Sequence, residues 1–165
     1  MNKNTIHRLL LPLILLLLLP VSAMALNQGE SLIPFTAQDM DGGSIDLASV
    51  IGQKPVMLVF WASWCPNCKS EVPKIKALVD KYGEKGMTFI GINVGHNDSV
   101  AKARRFMKKT GMTYPVIFDQ KGDISRKYAI QGVPTVLVAD KKGTVVFKNY
   151  GVPKITDDDF LHLSQ

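Results

Sequence analysis

Apolar and polar positions follow one another along the chain in blocks that predict strands and helices in turn. Short uninterrupted apolar runs are typical of buried strands, and longer stretches with an apolar residue at every third or fourth position are typical of amphipathic helices. The predicted strands are 55–61, 87–94, 115–118, 135–139 and 144–150. Two of the predicted helices cover 66–82 and 124–129. A third is capped by Asp98 or Ser99 and ends at Gly111, and a fourth begins at about Thr156.

Before these elements the pattern is weaker, with a loose extended segment around Pro34-Phe35 and a turn at 41–43. Strands that alternate with helices and finish in a hairpin through 140–143 predict an α/β fold, in which a mixed sheet is flanked by helices. Pro73 lies inside the helix predicted over 66–82 and should kink it, because proline removes one backbone hydrogen bond.

Residues 1–25 have the composition of a secretory signal peptide. Lys3 and Arg8 form a short basic region, 9–19 is almost entirely leucine, and Ala23-Met24-Ala25 offers a cleavage site. The apolar stretch is short for a membrane span, which needs about 20 residues. We therefore expect cleavage after Ala25 and export to a periplasm-like space where disulfides persist, the alternative being an uncleaved leader that anchors the chain to the membrane.

Residues 26–165 are expected to form one domain, since 140 residues are enough for a single core. This part holds 18 basic and 14 acidic residues. The basic excess lies mainly in one predicted helix, at Lys102, Arg104, Arg105, Lys108 and Lys109. Apolar residues share that helix at helical spacing, so we interpret the charges as a solvated face. Aromatic residues do not interleave with them, and no nucleic-acid partner is expected.

The two cysteines of the chain lie three residues apart, in Cys65-Pro66-Asn67-Cys68. This segment follows an apolar strand, and Pro66 suits the first position of a helix. Cys65 then occupies the N-cap, where free backbone N–H groups and the positive end of the helix dipole favour a thiolate. Cys68 follows one turn later on the same side, close enough to form a disulfide. The spacing predicts a dithiol that cycles with a disulfide.

Two other interpretations of the cysteines are weaker. A zinc site needs about four ligands, and neither His96 nor His162 has ligand spacing, so no metal or other cofactor is expected. A purely structural disulfide would close a ring too small to remove much unfolded-chain entropy. A copper- or zinc-binding metallochaperone would differ from a redox protein by retaining metal when purified in the reduced state. A static bridge would not react with a model disulfide.

Three motifs resemble the thioredoxin superfamily, and in particular its exported TlpA-like and ResA-like branch, which includes DsbE/CcmG-like proteins. The stretch 61–68 resembles the active-site turn, Gly132-Val133-Pro134-Thr135 resembles the cis-proline loop, and 68–73 resembles the branch's Cys-x-x-Glu-x-Pro run. The segment 98–119 resembles the helix-strand insertion of this branch. The resemblance implies a thioredoxin-like fold, with a mixed central sheet flanked by helices.

The resemblance also implies roles for individual residues. Cys65 would attack a substrate disulfide, and Cys68 would resolve the mixed disulfide by attacking Cys65. The Val133-Pro134 peptide bond would be cis and lie opposite the pair, with the Val133 backbone open to a substrate strand. The expected substrate-binding residues are therefore Trp64, Pro66, Val133 and Pro134.

Glu71 is the third candidate catalytic residue, three positions after Cys68 on the same side of the helix. Its carboxylate would raise the pKa of the thiols by repulsion and could carry a proton to or from Cys68. The alternative is a surface glutamate. Val59 stands where cytoplasmic thioredoxins carry a buried aspartate, which leaves Glu71 as the only carboxylate expected near the pair.

These features together indicate an exported thiol:disulfide oxidoreductase. The resemblance favours a reductase of protein disulfides, such as those of apocytochromes in cytochrome c maturation, fed by a membrane thiol donor of the DsbD or CcdA kind. A disulfide-forming oxidant is the alternative, and the redox potential distinguishes the two. A peroxiredoxin is not favoured, because its Pro-x-x-x-Thr/Ser-x-x-Cys run is absent.

Overall fold

A computed structural model describes residues 26–165. The predicted signal peptide and its cleavage site concern residues 1–25, which lie outside the described residues. The elements in chain order are β1 (Thr36–Gln38), β2 (Ser44–Asp46), α1 (Leu47–Val50), β3 (Val56–Trp61), α2 (Pro66–Tyr82), β4 (Thr88–Asn93), α3 (Val100–Thr110), β5 (Val116–Phe118), α4 (Asp123–Lys127), β6 (Thr135–Ala139), β7 (Val145–Tyr150) and α5 (Asp157–Leu163). Within this part of the chain, no helix has the length and apolar character to span a bilayer.

Five strands form one mixed sheet in the order β5-β4-β3-β6-β7, and β1 and β2 form a separate hairpin. Strand β3 is central, parallel to β4 and antiparallel to β6. All six of its residues are buried. Because both faces of β3 are covered, its sequence is a continuous apolar run without polar alternation. The predicted α/β architecture is confirmed.

The two faces of β3 belong to two apolar clusters. Met57, Val59 and Trp61 pack on the side of α2, α3 and α5. Val56, Leu58 and Phe60 pack on the side of α1 and α4. The period of two along a strand produces this division. The sheet therefore lies between two helical layers, and the turn that leads to the cysteines follows the carboxyl end of β3.

The predicted bounds agree closely where strong start and stop signals exist. Helix 66–82 and strand 135–139 match the structure, and the helix continues through Pro73 to Tyr82 as one element. The helix predicted over 124–129 instead spans Asp123–Lys127. It ends early because Ala129 has a φ of 48°, in the left-handed region that no right-handed helix contains.

Pro34 and Phe35 lie outside any regular element, as predicted, but the β1-β2 hairpin and the short helix α1 that follow them were not predicted. The turn expected at 41–43 does join the two strands. The Asp39 carboxylate accepts hydrogen bonds from the backbone N–H groups of Asp41 and Gly43, at 2.9 and 2.7 Å. Gly42 supplies the left-handed backbone, with a φ of 91°.

Asp98 ties together the ends of β3 and β4 and the start of α3. Its carboxylate accepts hydrogen bonds from the Ser63 N–H and hydroxyl, both at 2.6 Å, and from the buried Asn93 amide at 2.8 Å. A fourth hydrogen bond comes from the Ser99 N–H at 2.8 Å. Ser99 is the N-cap of α3, and its side chain accepts from the Lys102 N–H. The turn before Cys65 is thus fixed by a residue 35 positions later in the chain.

Partial burial acts to raise the pKa of Asp98, but hydrogen bonds from Asn93, Ser63 and Ser99 outweigh it and hold the pKa below its ordinary value. The folded state therefore favours the carboxylate. This contribution to stability is fully present above the unfolded pKa of about 4 and is lost as the pH falls through the lowered folded value.

We predict that Asp98→Asn lowers the free energy of unfolding by about 2 kcal/mol at pH 7, because an amide presents one donor group to partners that are themselves donors. The difference from the wild type should shrink as the pH falls below about 4. Urea unfolding at pH 7 and pH 3 measures both values. Asp80→Asn, at an exposed position of α2, is the matched control and should change stability by less than about 0.5 kcal/mol. Equal losses in the two variants would contradict the assignment.

Candidate active site

Cys65 and Cys68 form a disulfide at the start of α2, with their Cα atoms 5.3 Å apart. Strand β3 ends at Trp61, and a short turn brings Cys65 to the N-cap, as predicted. The Cys68 N–H points at the Cys65 sulfur, 3.1 Å away. This places Cys65 Sγ where a negative charge is stabilised by a backbone donor and by the helix dipole.

The loop before β6 lies directly against the pair. The Val133-Pro134 peptide bond is cis, which confirms the prediction. The Val133 carbonyl oxygen lies 3.5 Å from Cys65 Sγ. Thr135 donates a hydrogen bond from its hydroxyl to the Gly132 carbonyl at 2.6 Å and so holds the loop in shape. The structure therefore brings together the cysteines and the predicted cis-proline loop, which are far apart in sequence.

The two tryptophans have different environments. Trp61 is fully buried and stacks on Phe106 of α3, with ring centroids 4.9 Å apart. Trp64 is half exposed, and its indole N–H donates to the His96 carbonyl at 2.8 Å. Trp64 therefore stands at the surface beside Cys65 while its ring is held by the loop after β4. The adjacent Pro66 is also exposed.

Two grooves meet at Trp64. The first, which we call the basic groove, has a volume of about 380 Å³, and Cys65 lines it. The other lining side chains include Trp64, Phe106, Lys69, Lys102, Arg105 and Lys109. The second, the cis-proline groove, has a volume of about 450 Å³ and runs past Val94, Ile130 and Val133. Cys68 lines neither groove, so Cys65 is the member of the pair that borders open space.

Three of the basic residues of α3 line the basic groove. Lys102, Arg105 and Lys109 are exposed as expected, but they lie beside Cys65. A signal for this was present in the sequence, because residues spaced by three and seven positions share one side of a helix. What the sequence lacked was the rotation of α3 about its axis relative to the cysteines.

Glu71 is only 12 % exposed, and its carboxylate has two partners. One oxygen accepts a hydrogen bond from Lys74 Nζ at 2.8 Å, and the other accepts from the Val152 N–H at 2.8 Å. Burial acts to raise the pKa of Glu71, but these hydrogen bonds and the Lys74 charge outweigh it and lower the pKa. Val152 packs against the apolar cluster that contains both cysteines. The effect of Glu71 on the thiols stays a prediction.

A second carboxylate, that of Asp98, is hydrogen-bonded to the turn before the cysteines and was not among the candidate site residues. Asp98 binds Ser63, two residues before Cys65. Sequence reasoning assigned Asp98 only as a possible helix cap. Its long-range contact has no local signal, because it depends on the parallel pairing that places the ends of β3 and β4 side by side.

Within residues 26–165, no group of three or more His, Cys, Asp or Glu side chains is placed to hold a metal ion. His96 is exposed in the loop after β4, where its ring contacts the Asn97 amide at 3.0 Å. His162 lies in the last turn of α5, beside Asp158. In this part of the chain, neither histidine approaches the cysteines through a contact that would complete a site.

Comparison with known proteins identifies the relatives of this chain. Residues 28–148 match the model of the AhpC/TSA family. The thiol-disulfide oxidoreductase ResA of Halalkalibacterium halodurans is 31% identical over 118 residues, which are 72% of this chain and 65% of that protein. The ResA of Bacillus anthracis is 34% identical over 118 residues, 72% of this chain and 66% of that protein. The chain thus spans just under two thirds of the length of these curated relatives.

A solved structure gives the same result in three dimensions. A secreted Mycobacterium tuberculosis disulfide oxidoreductase, homologous to DsbE of E. coli, superposes with a TM-score of 0.64 and 28% identity. The match covers 78% of this chain and 92% of that one. In this chain, the mixed sheet, the cysteine pair at the start of α2 and the cis-proline loop occur together with a sequence that matches the AhpC/TSA family. The chain belongs to the AhpC/TSA family and has its thioredoxin-like fold.

Proposed function

We propose that this protein is an exported thiol:disulfide oxidoreductase that reduces disulfides in other proteins. The carrying observation is the Cys65–Cys68 disulfide, whose Cys65 sulfur lies at a helix N-cap, borders a surface groove and faces the Val133 carbonyl at 3.5 Å. The ResA relatives, which are thiol-disulfide oxidoreductases, support the same activity.

In the proposed reaction the reduced protein begins with two thiols. The Cys65 thiolate attacks one sulfur of a substrate disulfide, which forms a mixed disulfide and releases the other substrate sulfur as a thiolate that takes up a proton. Cys68 then loses its proton and attacks Cys65 Sγ. This forms the Cys65–Cys68 disulfide and releases the second substrate thiol. Two electrons pass from the pair to the substrate.

The position of Cys65 fits the first step. An attacking sulfur has to be reached by another protein, and Cys65 borders both the basic groove and the cis-proline loop. Its thiolate would be stabilised by the Cys68 N–H and the dipole of α2. A substrate strand that passed along Val133 could pair with its backbone, while Trp64, Pro66 and Pro134 shaped the contact surface.

A reductase outside the cytosol needs a source of electrons. The sequence resemblance implies a membrane dithiol donor of the DsbD or CcdA kind, which would reduce the Cys65–Cys68 disulfide by the reverse exchange. The composition of residues 1–25 and the secreted Mycobacterium tuberculosis relative support an exported location. Apocytochromes in cytochrome c maturation are the proposed class of substrate.

We predict that Cys68→Ser accumulates a stable mixed disulfide with a disulfide-containing peptide, since no second thiol remains to attack Cys65. Cys65→Ser should form at least about tenfold less adduct, because the remaining Cys68 does not line the basic groove, whereas Cys65 does. Intact-mass spectrometry measures both adducts, and each variant is the matched control of the other. Equal trapping by the two variants would contradict the assigned roles.

The direction of electron flow is tested by the midpoint potential of the Cys65–Cys68 couple. We expect a value near or below about −250 mV, toward the thioredoxin end of the scale, as a reductase requires. Titration of the protein against a thiol buffer with a metal chelator present gives this value. A potential near about −120 mV would instead make the protein an oxidant that donates its disulfide.

The role of Glu71 is tested by Glu71→Gln, which keeps a hydrogen-bond acceptor for Val152 but removes the charge. Because a nearby carboxylate disfavours thiolates, we predict that the pH profile of thiol reactivity moves to lower pH. Alkylation rates of the reduced protein between pH 5 and pH 9 measure the profile. Glu84→Gln, at an exposed position beyond α2, should leave it unchanged. An unshifted profile in Glu71→Gln would reduce Glu71 to a structural contact.

A further inference from the structure

The basic groove combines four cations with an apolar floor beside the sulfur of Cys65. Lys69 comes from α2, and Lys102, Arg105 and Lys109 come from α3. Trp64, Pro66 and Phe106 supply apolar surface, and no acidic side chain of the described residues lines the groove. Lysine and arginine are both charged at neutral pH, so the walls of this groove carry one sign of charge.

These cations have no acidic partner within the part of the chain that the structure describes. None of the four takes part in an ion pair among residues 26–165. Arg104 shows the contrast, because it lies on the same helix but bonds to the Asp41 carboxylate and the Met40 carbonyl. The basic groove therefore brings together cations that are available to pair with acidic groups of another molecule.

The dimensions of the groove suit a short extended peptide. Lys102 and Lys109 are two helical turns apart, a rise of about 10 Å along α3. Three residues of an extended chain cover about the same length. A groove lined by one sign of charge attracts the opposite charge and raises the rate of encounter. The occupant also has to carry a disulfide to Cys65, which a nucleic acid does not.

We infer that the basic groove docks an acidic segment, about three or four residues rich in Asp or Glu, next to the reacting cysteine of the protein substrate. This inference rests on the proposed oxidoreductase function and adds a substrate class to it. The acidic side chains lie along Lys102, Arg105 and Lys109, and the substrate disulfide lies over Cys65. The groove selects partners by charge, while the exchange chemistry stays that of the cysteine pair.

The test uses the reduced protein and three peptides that share one disulfide and differ only in four flanking residues, all Glu, all Gln or all Lys. Stopped-flow tryptophan fluorescence follows each reaction, since Trp61 and Trp64 lie beside the pair. We expect the Glu peptide to be reduced roughly tenfold faster than the Gln peptide at low salt, with the Lys peptide slowest. The difference should fall toward twofold at about 1 M salt, where charges are screened within about 3 Å.

The decisive variant is the triple change Lys102→Gln, Arg105→Gln and Lys109→Gln. It should abolish the preference for the Glu peptide and leave the rate with the Gln peptide within about twofold of the wild type. The matched control removes the same charge at exposed positions outside the groove, through Lys54→Gln, Lys108→Gln and Lys142→Gln. This control should keep the preference.

The other outcomes are distinguishable. Equal rates with all three peptides in the wild type would overturn the docking inference and leave the oxidoreductase function standing. An equal loss of preference in both triple variants would overturn it too, since net charge alone would then explain the effect. A uniform fall in rate with every peptide in the groove variant would mean that the cations act on the Cys65 thiolate rather than on the substrate. Failure to reduce any peptide would contradict the proposed function itself.

Discussion

The carboxylate of Asp98 is the interaction on which the geometry of the site depends. It accepts hydrogen bonds from the turn before Cys65, from the end of β4 and from Ser99, the N-cap residue of α3. Those three segments carry the cysteine pair, the loop that holds Trp64 and the helix with the basic residues. A partly buried charge with four donors is a strong and directional tie, because losing any donor leaves the charge less compensated. Asp98 therefore fixes the start of α3 relative to the cysteines, and the packing of Ala103 and Phe106 in the core holds the rest of the helix.

Trp64 divides the surface around Cys65 into two regions of different character. On one side the basic groove offers charge, and on the other the cis-proline groove offers the Val133 backbone and apolar side chains. The indole is held by the His96 carbonyl, so this division is part of the folded structure and not a chance rotamer. A partner that reached Cys65 would meet both regions. Under the proposed function, selection of the partner by charge and pairing with the Val133 backbone would therefore use separate neighbouring surfaces.

The sequence predicted the bounds of an element well where residues that start and stop it were present. Helix α2 begins with Pro66 and is followed by Gly83, and β6 lies between the cis-proline loop and a turn, so their bounds were readable. The β1-β2 hairpin was missed because its three-residue strands are largely exposed and have no apolar run. It exists because the Asp39 side chain closes the turn.

The parts of the site that sequence reasoning missed depend on distances across the fold. The contact between Ser63 and Asp98 joins residues 35 positions apart, and only strand pairing brings them together. The basic residues of α3 were recognised, but their orientation was not.

The buried side and the exposed side of helix α3 are under different constraints. Ala103 is fully buried and Phe106 stacks on Trp61, so these positions are constrained by the core. Lys102, Arg105 and Lys109 are exposed, so packing of the core does not constrain them. Substitutions at those three positions can accumulate without harm to folding or to the cysteines. Under the proposed function, the partner that this protein selects could therefore change through the exposed side of α3 while the cysteine pair and the core beneath it stayed the same.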